Sequence, residues 1–257
     1  MLLKYFFKIS GDIIKKYILI FTLPLILLLY FLIPKTVIFD DVKIIQYPGK
    51  YSITIKDKTP IYRKGQFLTG AAGDINGDGF LDIALINKKF FSNRGSTLEI
   101  LSPLKNSHTL FKRDLSQIKP WKVSLGDVTG DGVMELAIGV EKTSPHHNIM
   151  AKRCFFYNLD FDSGKLIPRY RASRFARPLE DYILYDIDKD GTCEVMSIEY
   201  TQRGKVLSAY KWSGFGFKVE YSSREYKNLD NFQIINSKLC TGEKEVFLEE
   251  GILKIGG

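Results

Sequence analysis

The segment GDINGDGFLDIAL at residues 73–85 recurs as GDVTGDGVMELAI at 126–138 and as YDIDKDGTCEVMSI at 185–198. Each copy sets oxygen-bearing side chains at its first, third and fifth loop positions, a glycine at the sixth and a carboxylate at the ninth. These are Asp74, Asn76, Asp78, Gly79 and Asp82; then Asp127, Thr129, Asp131, Gly132 and Glu135; then Asp186, Asp188, Asp190, Gly191 and Glu194. Acids crowded this closely repel one another unless a hard cation gathers their oxygens, and the glycine permits the sharp turn that such wrapping needs. The pattern predicts three Ca2+ sites, with the third loop, richest in acid, binding most tightly.

An EF-hand would need a glutamate at the twelfth loop position between two helices, and Leu85, Ile138 and Ser197 stand there instead. Short apolar runs with β character follow each loop, such as Ile83 to Ile86 and Val195 to Ile198, so the loops are expected to join strands. Asp74 and Asp127 are 53 residues apart and Asp127 and Asp186 are 59 apart, near the length of a four-stranded propeller blade with an enlarged loop.

These segments resemble the FG-GAP or VCBS-type repeat of β-propellers, including those of integrin α chains, in which a DxDxDGxxD loop links the first two strands of a blade. The VCBS type is the closer label, because the first unit continues Ile86 Asn87 Lys88 Lys89 and the second only partly echoes the FG-GAP residues in Ile138 Gly139 Val140. The third unit, flanked by Ser173 to Pro178 and Trp212 to Phe217, looks like repeat proteins anchored or secreted in bacteria. The resemblance implies binding or display and no defined reaction.

Residues 1–16 carry Lys4, Lys8, Lys15 and Lys16 against Asp12, and residues 17–33, YILIFTLPLILLLYFLI, carry no charge. As a helix this run rises about 26 Å, at the short end of what crosses a bilayer. It exceeds a typical signal-peptide core, and no small-x-small cleavage signature precedes Lys35. The expected organisation is a cytoplasmic basic flank (1–16), an uncleaved transmembrane signal anchor (17–34) and an extracytoplasmic domain (35–257), the lysines holding the N-terminus in the cytoplasm.

The fold class expected is all-β, a propeller of about four blades. Units run over 64–116, 117–177 and 178–231, the second with a long excursion at Glu141 to Arg153. A relic of a fourth is visible at Phe232 to Leu248, aligned by setting Gly242 at the place of Gly191 and Glu245 at that of Glu194. Strands within residues 42–63 would complete that last unit, closing the ring and removing exposed edges. A degenerate five-blade ring or an open array is the alternative.

The chain carries a formal charge of +8 although the three loops hold ten acids, so the remaining surface is strongly basic. No helix-turn-helix, zinc module or aromatic ribonucleoprotein signature accompanies it, and nucleic acid is not an expected partner. In a propeller the loops between second and third strands lie opposite the cation loops. That face would collect Lys88, Lys89, Phe90, Phe91, Arg94, His146, His147, Lys152 and Arg153, with Arg171, Arg174 and Arg177 from the stretch between units. Aromatics beside cations suit an anionic polysaccharide, a lipid head group or an envelope protein; ordinary solvated loop charges are the competing interpretation.

His146 and His147 lack a third ligand at zinc spacing, and no GxSxG or HExxH is present. The three cysteines, Cys154, Cys193 and Cys240, form no CxxC pair and read as small buried hydrophobes. A non-enzymatic, calcium-binding, membrane-anchored module is expected. The alternative is an exported polysaccharide-processing enzyme on the same scaffold, though acids outside the loops such as Glu99, Asp114, Glu180, Asp181, Glu199 and Glu220 show no pairing along the sequence.

Overall fold

The computed structural model describes residues 33–39, 41–56, 58–103, 108–144, 147–171 and 174–256. The basic flank and nearly all of the expected span lie outside the described residues. Among those described, no helix is long and apolar enough to cross a membrane; the structure is all-β and propeller-like.

Among the described residues, twenty strands form five antiparallel meanders. The first comprises β1 (Lys35–Phe39), β2 (Val42–Tyr47), β3 (Lys50–Ile55) and β4 (Ile61–Lys64); the second β5 (Gln66–Gly73), β6 (Asp82–Lys88), β7 (Gly95–Ser102) and β8 (His108–Asp114). The third comprises β9 (Lys122–Gly126), β10 (Glu135–Ser144), β11 (His147–Asp160) and β12 (Lys165–Arg171); the fourth β13 (Leu179–Tyr185), β14 (Glu194–Tyr200), β15 (Lys205–Trp212) and β16 (Phe217–Ser223). The fifth comprises β17 (Phe232–Ile235), β18 (Lys238–Thr241), β19 (Lys244–Glu249) and β20 (Ile252–Gly256). A short parallel pairing of β16 with β20, Ser222 to Ile252 and Ser223 to Leu253, fuses the last two into one eight-stranded sheet.

This arrangement corrects the expectation of four blades. The N-terminal strands form a sheet of their own, and the C-terminal residues supply four strands without help. The alignment of the relic is also corrected: Gly242 lies in the β18–β19 turn, whereas β17 and β18 are joined by Asn236 and Ser237 alone, both at positive φ (51° and 63°). Such a two-residue turn matches strand twist but leaves no length for a cation loop. The expected excursion at Glu141 to Arg153 belongs to the paired strands β10 and β11, with Glu141 opposite Lys152 and Lys142 opposite Ala151 and a register shift between Lys142 and Ser144.

Alternation along the strands explains the stacking, because side chains two apart share a face. In β6, Ile83 and Leu85 pack on the first meander with Val42, Ile44 and Ile53, while Ala84 and Ile86 pack on the third with Leu136 and Ile138. In β10, Ala137 turns to the opposite side and meets Tyr182 and Val195 of the fourth meander. Met196 and Ile198 of β14 then meet Leu239, Val246 and Leu253 of the fifth. Among the described residues, four apolar cores thus join the five meanders in chain order. No such core joins the described residues of the fifth meander to those of the first, and β1 is largely exposed, though it approaches both β5 and β17.

The first strands face inward around a cavity of about 440 Å³, to which Phe39, Ala71, Ser124, Leu184 and Ile234 contribute one residue from each meander. Polar bonds reinforce this inner ring. Leu184 N donates to Ser124 Oγ at 2.9 Å, and buried Asp181 takes Lys122 Nζ at 2.8 Å and Phe232 N at 2.8 Å. One carboxylate therefore ties together the third, fourth and fifth meanders. Burial pulls the Lys122 pKa down, opposed by Asp181 beside it.

The seam and the stack should respond differently to truncation. Ile86→Ala, at a fully buried position between two sheets, is expected to lose about 2–5 kcal/mol in denaturant unfolding. Val37→Ala, in β1 at the seam and 39% exposed, is expected to lose about 0.5 kcal/mol. Comparable losses would contradict this division.

Candidate functional site

The three acidic loops connect β5 to β6, β9 to β10 and β13 to β14, as the β character of the flanking runs predicts. Their first aspartates act as the hub of each turn. Asp74 accepts from Asp78 N at 3.0 Å and Gly79 N at 2.8 Å; Asp186 accepts from Asp190 N at 3.1 Å and Gly191 N at 3.0 Å. Asp127 accepts from Thr129 N, Gly130 N and Gly132 N at 3.1, 2.7 and 2.7 Å. Gly79, Gly132 and Gly191 all take positive φ, 81°, 82° and 92°, at the sixth position where a side chain would be strained. Asn76 and Asp188 each accept from the amide two residues on, at 3.1 and 3.2 Å.

The ninth-position acids differ from the rest because they open the second strand and point into the fold. Asp82, Glu135 and Glu194 are 0, 1 and 0% exposed. Glu135 accepts from Val128 N at 3.0 Å and Thr129 Oγ1 at 3.3 Å. Glu194 accepts from Ile187 N through one oxygen at 3.1 Å, while Oε1 makes no hydrogen bond. No hydrogen bond of ordinary geometry reaches Asp82, although the Ser102 hydroxyl and Ile75 N approach it and partly offset the effect of burial on its pKa. Burial raises the pKa of all three acids, that of Glu194 to about 7. A buried carboxylate with few partners is costly as an anion, which favours a bound proton or cation at these positions.

Neighbouring loops touch. A Cβ on Gly73 would lie 2.6 Å from Met134 Sδ, and one on Gly126 would lie 2.8 Å from Cys193 Sγ. Met134 and Cys193 each precede the ninth-position acid of the next meander, and Cys193 N also donates to Asp127 O at 2.7 Å. The Gly-Asp opening of the first two repeats therefore makes room for the following loop. The third repeat opens Tyr185-Asp186 because the fifth meander presents only the tight Asn236–Ser237 turn, to which the Tyr185 hydroxyl donates at Ser237 O, 3.2 Å away.

The third loop contains a cation of its own. Lys211 Nζ, from β15, lies 3.1 Å from Asp188 Oδ2 and 3.6 Å from Glu194 Oε1, and also bonds Asp190. The Tyr221 hydroxyl donates to Asp188 at 3.1 Å. The bond to Asp190 chiefly holds the Lys211 pKa well above its usual value and lowers that of Asp190. One oxygen each of Asp186, Asp188 and Glu194 lie within 4.8 Å of one another. Acid count along the sequence missed this lysine, which arrives from two strands away. In the second loop, among the described residues, Arg169 approaches to 3.9 Å from Asp131.

The residues expected to form a basic face have several different roles. Lys88 ends β6; Lys89, Phe90 and Phe91 are exposed in the following loop; and Arg94 is ion-paired with Glu141 of the third meander. Lys152 donates to Glu180 O at 2.7 Å and stands 4.8 Å above the Trp121 ring. Arg153 is not on a face at all. It is 1% exposed, with Nε on Lys142 O at 2.7 Å and Nη2 on Ile149 O at 2.9 Å, so it braces its own hairpin. Arg171 and Arg174 are exposed, and Arg177 meets buried Glu199 at 3.4 Å. His146 lies outside the described residues, and His147 opens β11 opposite Ser144.

Four of the acids outside the loops have separate partners. Glu99 accepts from Thr109 at 2.9 Å; Glu180 pairs with Lys205 at 2.6 Å, Asp181 with Lys122, and Glu199 accepts from the Tyr210 hydroxyl at 2.5 Å. Cys154 and Cys240 are buried and all three cysteines are free, as the reading as small hydrophobes expects.

Residues 68–97 match the FG-GAP repeat, a span that includes most of β5, the first acidic loop, β6 and the start of β7. No curated protein matches the chain. The FG-GAP match falls on the unit whose residues 86–89 favoured the VCBS-type label, and it suggests a β-propeller-like binding or display module.

Lys211 provides a test of the loop electrostatics. In chelating buffer Lys211→Met should lose about 2 kcal/mol of stability, since charge-assisted hydrogen bonds to otherwise repelling carboxylates disappear. A Lys211→Met protein as stable as the parent in chelator would show that the ammonium does not neutralise the loop.

Proposed function

We propose that this chain is a calcium-stabilised, non-enzymatic, propeller-like module, carried outside a membrane by residues 17–34 and binding an anionic partner of the cell envelope. Asp82 carries the calcium reading. Its carboxylate is fully buried without a hydrogen bond of ordinary geometry, approached by Ser102 and Ile75 N, and it follows a loop in which Asp74, Asn76 and Asp78 offer oxygens.

That donor set fits the ion. Asp74, Asn76, Asp78 and Asp82, Asp127, Thr129, Asp131 and Glu135, and Asp186, Asp188, Asp190 and Glu194 supply hard oxygens with no sulfur or imidazole, the chemistry calcium prefers over zinc or copper. Bound calcium would supply positive charge at the junction of loop and second strand. The chain's own contribution is the turn that holds the oxygens together before any ion arrives: backbone amides fix Asp74, Asp127 and Asp186, and the glycine closes the loop. Weak sites would suffice outside the cell, where calcium is abundant.

The FG-GAP match supports binding or display, and the separate partnering of Glu99, Glu180, Asp181 and Glu199 supports structural roles for these acids. The four lysines before an uncharged 17-residue run support the anchor and its orientation.

Melting of the full-length protein in detergent tests the calcium reading. Calcium at ten times its Kd should stabilise by about 1.4 kcal/mol for each occupied site, raising the midpoint relative to chelator. Asp82→Asn should melt no lower than the parent in chelator, because it removes a buried charge, and should show a smaller calcium response. An identical midpoint with and without saturating calcium would overturn the reading.

A further inference from the structure

We propose that the end of the ring carrying the β6–β7 and β10–β11 loops rests on the membrane itself, with anionic lipid as its partner and Phe90, Phe91, Ile149 and Met150 entering the interface. This rests on the anchored reading above and adds to it an orientation and a contact surface.

Antiparallel meanders have two ends. The acidic β5–β6, β9–β10 and β13–β14 loops occupy one; connections between second and third strands, and links between meanders, occupy the other. The chain enters the fold at this second end, where Lys35 of β1 pairs with Gln46 beside the β2–β3 turn. Ile33, Lys35, Tyr47, Lys88, Phe90 and Phe91 line one cleft there, of about 510 Å³. The uncharged run of residues 17–33 therefore joins the fold at the basic end. A bilayer spanned by that run lies on this side, and the acidic loops point away from it.

The surface chemistry agrees. Phe91 is 84% exposed and Phe90 52%, their rings edge to face at 4.4 Å, on a loop begun by Lys88 and Lys89. On the next meander the β10–β11 hairpin runs past the end of β9, which pairs only as far as Gly139, and exposes Ile149 and Met150 at 60 and 62%. Arg153 ties two carbonyls of that hairpin together, so the projection is braced. Large apolar side chains at protruding tips, with lysines around them, suit the head-group layer, where the apolar parts bury and the ammonium groups reach phosphate. An anionic surface attracts this end and repels the acidic one. A glycan or protein partner would not require that the apolar tips share an end with the chain entry.

The test uses full-length protein in vesicles of phosphatidylcholine and phosphatidylglycerol doped with brominated lipid. Phe91→Trp is compared with Phe215→Trp, which is 86% exposed in the β15–β16 turn at the acidic end; the signal of native Trp121 and Trp212 is subtracted. Brominated lipid should quench the tryptophan at 91 and leave that at 215 bright, and Lys88→Glu with Lys89→Glu should diminish the quenching. Quenching at 215 instead, at neither position, or unchanged by the charge reversal would overturn the proposal while leaving the anchor intact. Carbonate washing separates the two ideas: protein released from the vesicles would overturn the anchored reading, and this orientation with it.

Discussion

The buried acid at the head of the second strand is the interaction on which the rest of the structure turns. Asp82, Glu135 and Glu194 each begin a strand that is buried on both faces, so their carboxylates cannot move to solvent without disturbing the core. Each is compensated differently. Asp82 is approached by Ser102 and Ile75 N without a hydrogen bond of ordinary geometry, Glu135 has two hydrogen bonds, and Glu194 has one together with the approach of Lys211. The three loops are therefore alike in sequence and unequal in electrostatics, and any cation they take meets a different demand in each. The acid count, which places the third loop first, omits the ammonium that is already there.

Around these positions the sheets are held by alternation and by contact between repeats. Central strands such as β6 and β10 present apolar side chains to both neighbours, which makes each sheet a shared wall between two cores. Gly73 and Gly126 let the next loop pack against them, and Cys193 N binds Asp127 O across the same boundary. Loop geometry in one meander is thereby coupled to its successor. The coupling ends at Tyr185, where no acidic loop follows.

Much of this was legible in the sequence, and the failures have physical reasons. The three loops and their strand-joining role follow from local patterns that the structure reproduces between β5 and β6, β9 and β10, and β13 and β14. The fifth meander was not legible as a blade because its first connection is two residues long and carries none of the repeat grammar; Gly242 offered a false register. Arg153 reads as a surface cation in a charged stretch, yet its guanidinium satisfies carbonyls inside a hairpin. Lys122, Asp181 and Lys211 were invisible as a group because their partners lie on other strands or other meanders, and no spacing along the chain encodes such meetings.

The acidic loops, proposed here as calcium sites, lie away from the chain entry, and the lysine-bearing β6–β7 loop lies beside it. Equilibrium dialysis of the purified full-length chain against millimolar calcium tests whether those loops take the ion. The account predicts bound calcium approaching three per chain, one for each acidic loop, with the first loop's share lost in Asp82→Ala. A chain that binds no calcium above the level of an Asp82→Ala, Glu135→Ala, Glu194→Ala protein would contradict it.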